Sequence, residues 1–89
     1  MEKYKNLSRD SSVYAYEIGI NYIDVQFNDG SIYRYSYKSA GASNVEQMKR
    51  YAQAGDGLGS FIQRIVRKLY EFRKFWINLR RKQYVSKYL

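Results

Sequence analysis

The chain contains no cysteine, no histidine and no proline. Without Cys there is no disulfide framework and no thiolate metal site, which suits a reducing, cytoplasmic setting. Without His and Cys, the commonest general base, the thiol nucleophile and the best transition-metal ligands are missing. The eight Asp and Glu residues are scattered, and no pair can be argued to converge. The expectation is a non-catalytic protein with no cofactor and no metal. No apolar run approaches the ~20 residues of a membrane span, and no secretory signal opens the chain.

Aromatic residues and positive charge are abundant instead. The 89 residues make one small domain, in which 18% Phe, Trp and Tyr compensate for a modest core. The net charge of +8 is unevenly spread. Residues 1–63 hold seven Lys/Arg and seven acids and so balance, whereas residues 64–89 hold nine Lys/Arg against Glu71 alone. An excess confined to the last 26 residues points to a polyanionic partner, nucleic acid or an anionic membrane surface.

Residues 1–10 are polar and irregular and read as a flexible lead-in. Residues 13–18, 22–27 and 31–37 alternate as strands. The turn between the last two decides their register. A two-residue Asp29-Gly30 loop would put Arg34 and Ser36 on the face of Val25 and Phe27. A three-residue Asn28-Asp29-Gly30 loop, with Gly30 in a left-handed position, sets Val25 opposite Tyr33 and Ile23 opposite Tyr35. Only the second gathers the apolar residues on one face, so it is chosen. It turns Tyr33 and Tyr35 toward the core. It pairs Asp24 with Arg34 and Gln26 with Ile32 on a largely solvated face, where Tyr22 and Arg34 are better placed for a ligand.

Residues 39–42 read as a loop. Ser43 and Glu46 have capping-box spacing for a helix that runs to about Ala54, buries Val45, Met48 and Ala52, and stops at Gly55. After the glycine-rich loop 55–59, Ser60 and Gln63 repeat the capping signal. This loop could hold a phosphate at a helix N-terminus, but it lacks a Lys and carries Asp56, so a capped turn is the better reading. No glycine or proline follows, so the second helix is expected to continue to about Lys82. Ile62, Ile65, Leu69, Phe72, Trp76 and Leu79 form a seam at heptad spacing.

The order strand, strand, strand, helix, helix, with Tyr33-Arg34-Tyr35 at its centre, resembles the KTSC domain. That family is a short bacterial and phage module, also found at the C-terminus of some lysyl-tRNA synthetases. The likeness covers about residues 11–70. It runs from Ser11-Ser12 through Val25-Gln26-Phe27-Asn28-Asp29-Gly30-Ser31-Ile32-Tyr33-Arg34-Tyr35. It ends at Gly59-Ser60-Phe61-Ile62 with Val66-Arg67 and Tyr70, and Gln63 stands where many members have Asn. The resemblance implies RNA binding, and the basic extension 71–89 lies beyond the module.

The expected fold is therefore α+β: a three-stranded antiparallel meander followed by two helices on one face, the second long and basic. The leading functional expectation is nucleic-acid binding, RNA ahead of DNA, through Arg64, Arg67, Lys68, Lys74, Arg80, Arg81 and Lys82 of that helix, with Arg34 on the sheet. The alternative is protein interaction or self-association, such as a homodimer, through Phe72, Trp76 and Leu79. Adsorption to a membrane surface through Phe72, Phe75, Trp76 and Ile77 ranks below both.

Overall fold

A computed structural model describes residues 1–76 and 84–87, with side chains through Phe75. The protein is α+β. An antiparallel sheet runs in sequence order through β1 (Glu2–Lys3), β2 (Val13–Ile18), β3 (Tyr22–Phe27), β4 (Ser31–Ser36), β5 (Phe72–Trp76) and β6 (Tyr84–Lys87). Between β4 and β5 the chain forms α1 (Tyr37–Ala40), α2 (Ala42–Ala54), α3 (Leu58–Phe61) and a π-helical turn at Ile62–Val66. Among the described residues, no helix is long and apolar enough to cross a membrane.

The central hairpin has the register that face matching requires. Ile23 pairs with Tyr35, Val25 with Tyr33, Asp24 with Arg34 and Gln26 with Ile32. Gly30 takes φ 91° in the three-residue turn, and its N–H donates to the Phe27 carbonyl at 2.9 Å. Asp29 completes the turn by accepting from the Ser31 N–H at 2.9 Å and the Ser31 hydroxyl at 2.6 Å. These bonds favour the ionised carboxylate and lower its pKa, with a smaller contribution from Arg73.

In β2 strict alternation would separate Val13 from Tyr16. A bulge at Tyr14 shifts the β2–β3 register, so that Val13 and Tyr16 are both buried. These residues join Ile23, Val25 and Tyr35 under the helices, which contribute Val45, Met48, Ala52, Leu58, Ile62 and Val66. Fully burying an aliphatic side chain of this kind is worth about 1.5–3 kcal/mol, so a single layer of helices suffices to hold the sheet.

Helix α2 ends as expected, with Gly55 at φ 78° donating to the carbonyls of Tyr51 and Ala52. Its start differs. The chain is already helical at Tyr37–Ala40, where Ser36 and Ser39 make the reciprocal capping box expected of Ser43 and Glu46. Ser43 and Ser60 instead lie inside helices whose N-caps, Gly41 and Gly57, make no side-chain cap. Glu46 turns outward to the Tyr37 hydroxyl and Lys49.

Two larger expectations are corrected. The N-terminal segment belongs to the fold: β1 pairs with β2, and Tyr4 is only 3% exposed. Its hydroxyl accepts from the Leu58 N–H at 3.2 Å, supplying the cap that Gly57 cannot. The long basic helix does not form. Helical structure ends at Val66, the Glu71 N–H bonds to the Arg34 carbonyl, and β5 then pairs with β4 along Ser31–Arg34. A strand here satisfies backbone groups that β4 would otherwise expose at a sheet edge, and that gain outweighs the helical spacing. The buried positions of the last helical turns are Leu58, Ile62 and Val66. Ile65 and Leu69 of the expected seam are 46% and 43% exposed.

Candidate nucleic-acid interface

The helices cover the Ile23, Val25 and Tyr35 face of the sheet. Alternation places Tyr22, Asp24, Gln26, Ile32, Arg34, Phe72 and Lys74 on the other face, across β3, β4 and β5. Arg34 is its hub. Its Nε and Nη2 donate to the two Asp24 carboxylate oxygens at 2.7 and 2.9 Å. That hydrogen bonding raises the guanidinium pKa further and keeps its charge fixed.

Arg34 is also flanked by rings. Its Cζ lies 3.8 Å from the Tyr22 ring centroid and 5.0 Å from that of Phe72, its direct partner on β5. Lys74 Nζ lies 5.6 Å from the Phe72 centroid. The sequence of contacts is thus ring, cation, ring, cation across three adjacent strands. Gly19 makes room for the first ring: a Cβ there would collide with Tyr22. Asp24 is 4% exposed, whereas Tyr22, Arg34, Phe72 and Lys74 are only half-buried. The carboxylate therefore lies beneath a layer whose rings and cations remain accessible. A half-exposed ring face can stack a base, and neighbouring cations can hold the phosphates between bases.

The expected basic site is divided by this topology. Arg34 and Lys74 converge with Phe72 on the open face. Arg64, Arg67 and Lys68 are exposed around the π-helical turn, on the helix side. Arg80, Arg81, Lys82 and Leu79 lie outside the described residues. Trp76 ends β5, where its backbone is paired with Tyr84. The self-association seam of Phe72, Trp76 and Leu79 loses its basis in this form, because Phe72 belongs to a strand and not to a helix.

Sequence reasoning missed Arg73 and Tyr70. Arg73 Nη1 donates to the Tyr33 hydroxyl at 3.4 Å, and its guanidinium also faces the Phe75 ring. Tyr70 packs edge-on against Tyr33, with centroids 4.9 Å apart. The available signal was the aromatic-flanked basic pair Phe72-Arg73-Lys74-Phe75, which in a strand places Arg73 on the face opposite Lys74. Comparison of the chain with protein-family models, curated proteins and solved structures finds no match. The likeness to the KTSC domain therefore rests on the residues quoted above.

Proposed function

We propose that this protein binds single-stranded nucleic acid, RNA in the first place, on the open face of its sheet. The observation that carries the reading is the row Tyr22, Arg34, Phe72 and Lys74, in which rings and cations alternate across three neighbouring strands. The concentration of the chain's net charge in residues 64–89 supports it, because β5 brings part of that segment onto the sheet. Base stacking on Tyr22 and Phe72 supplies sequence-tolerant affinity, and Lys74 with the further C-terminal cations neutralises phosphates. In place of the helical docking surface first expected, this reading uses a sheet surface on which Lys74 joins Arg34.

The test is anisotropy of a labelled single-stranded RNA at several salt concentrations. With about four phosphates engaged, log K falls with log salt at a slope of about −3. Tyr22→Ala weakens binding by about 1–3 kcal/mol if one base stacks there. Lys74→Glu weakens binding and flattens the salt slope. Binding that ignores salt and survives both substitutions refutes the reading. A salt-insensitive doubling of mass in sedimentation would favour self-association instead.

A further inference from the structure

The opposite face of the sheet contains a second feature that the open face does not use. Where the β3–β4 turn meets residues 62–70, a cavity of about 520 Å³ opens between the hairpin and the π-helical turn. Its size lies within the usual range of small-molecule sites. Tyr33, Tyr35 and Tyr70 form one wall. Tyr33 and Tyr35 lie nearly parallel, with an interplanar angle of 12°, and Tyr70 meets both edge-on. Asn28 and Gln63 also line the cavity, together with the exposed Arg67 and Lys68.

Two buried polar side chains border this region. Tyr35 is 1% exposed and lines the cavity. Burial, with the neighbouring Tyr33 and Tyr70, raises its pKa, so the phenol stays protonated and able to donate. Behind Tyr33, the buried Nε of Arg73 has no hydrogen-bond partner among the described residues. Buried polar groups are rarely left unpaired without a reason. The charge balance here is positive. Arg67 and Lys68 line the cavity with one carboxylate, Asp29, which Arg73 also influences and whose Oδ1 is already held by Ser31.

We infer that this cavity binds a nucleoside monophosphate unit, with the base against the tyrosines and the phosphate at Arg67 and Lys68. A planar ring suits the aromatic wall, and the amides of Asn28 and Gln63 offer donors and acceptors to its edge. A dianionic phosphate suits the paired cations at the rim. The π-helical turn sets this geometry, because its wider winding buries Val66 while Arg67 and Lys68 remain exposed at the mouth. The same unit can be a free nucleotide or the phosphorylated end of a strand.

The full-length protein is titrated with AMP, UMP, adenosine and inorganic phosphate, and backbone amide NMR shifts are followed. Both monophosphates shift Asn28, Tyr33, Gln63 and Tyr70, and adenosine and phosphate each bind at least about tenfold more weakly. Arg67→Glu with Lys68→Glu, both at exposed sites, weakens AMP binding by about tenfold or more. Tyr35→Phe, which keeps the ring, weakens it less. Tyr22→Ala leaves it unchanged, which separates this site from the open face. A short RNA bearing a 5′-phosphate that outbinds AMP assigns the site to strand ends, and equal binding assigns it to free nucleotides. No shift at millimolar nucleotide, shifts confined to Tyr22, Arg34 and Phe72, or equal binding of phosphate alone overturns the assignment.

Discussion

Arg34→Ala is expected to destabilise the protein more than Asp24→Ala, although each breaks the same ion pair. The two partners sit at different depths: the side chains of Arg34 and Asp24 are 27% and 6% exposed. Two unit charges about 4 Å apart attract by about 4 kcal/mol at an effective dielectric near 20, and desolvation offsets much of this. Removing Asp24 leaves a guanidinium that still reaches water and still lies against the Tyr22 and Phe72 rings. That loss should be about 1–2 kcal/mol. Removing Arg34 strands a buried carboxylate and discards both ring contacts, and should cost at least about 3 kcal/mol. Once the carboxylate is gone, losing the guanidinium matters less. The double variant should therefore cost less than the sum of the singles, by about 1–2 kcal/mol. Urea unfolding followed by far-ultraviolet circular dichroism measures all four corners of the cycle. Equal costs for the two single variants, or an additive double variant, would refute the idea that Arg34 shields a buried charge.

Other consequences can be measured with the same assay. Tyr4→Phe orphans the Leu58 N–H and should cost about 1–2 kcal/mol, with faster amide exchange at Leu58. Gly55→Ala should cost more than Gly41→Ala: both sites have positive φ, but a Cβ at Gly55 would come within 2.6 Å of Lys5 Cβ, whereas Gly41 has open space. Asp29→Ala should cost about 0.5–1 kcal/mol at neutral pH. Because the folded pKa of Asp29 lies below its ordinary 3.8, its stabilisation is present above 3.8 and is lost as the pH falls through the lower folded value. The gap between the wild-type and Asp29→Ala unfolding midpoints should accordingly narrow in acid, and a constant gap would contradict the turn geometry.

The parts of the fold that could be read from the sequence were those where local chemistry and burial agreed. The β3–β4 register followed from one requirement, that Ile23, Val25, Tyr33 and Tyr35 share a face, and a slip of one residue would have violated it. Gly55 after a periodic apolar stretch likewise allowed little choice. Legibility failed where a local signal had a competitor. Ser43 and Glu46 had capping-box spacing, but the earlier Ser36–Ser39 box starts the helical region first, so Glu46 is free to reach Tyr37 and Lys49. In the N-terminal segment, nothing local marks Tyr4 as core. Its burial depends on Leu58, 54 residues away.

The last third of the chain shows why the charge was easier to read than its presentation. Ile62, Ile65, Leu69, Phe72, Trp76 and Leu79 satisfy a heptad, yet Leu58, Ile62 and Val66 are the buried set, at a constant step of four. A π-helical turn winds more widely than an α-helix, which lets that step stay on one face and moves Ile65 outward. From Phe72 the chain can also run as a strand, Phe-Arg-Lys-Phe-Trp, with Phe72 and Lys74 on one face and Arg73 and Phe75 on the other. A local pattern that suits both states is resolved by non-local hydrogen bonds, here the ladder from β4 to β5. A helix would have set Arg67, Lys68 and Lys74 along one rod, whereas the strand sends Lys74 to the open face and leaves Arg67 and Lys68 at the tyrosine-walled cavity. The positive charge is therefore presented on two sides of one sheet, each beside aromatic rings. Charge reversal at Lys74 and at Arg67 with Lys68 should consequently weaken different ligands, and two variants that weaken oligonucleotide and mononucleotide binding alike would show that the sides do not act separately.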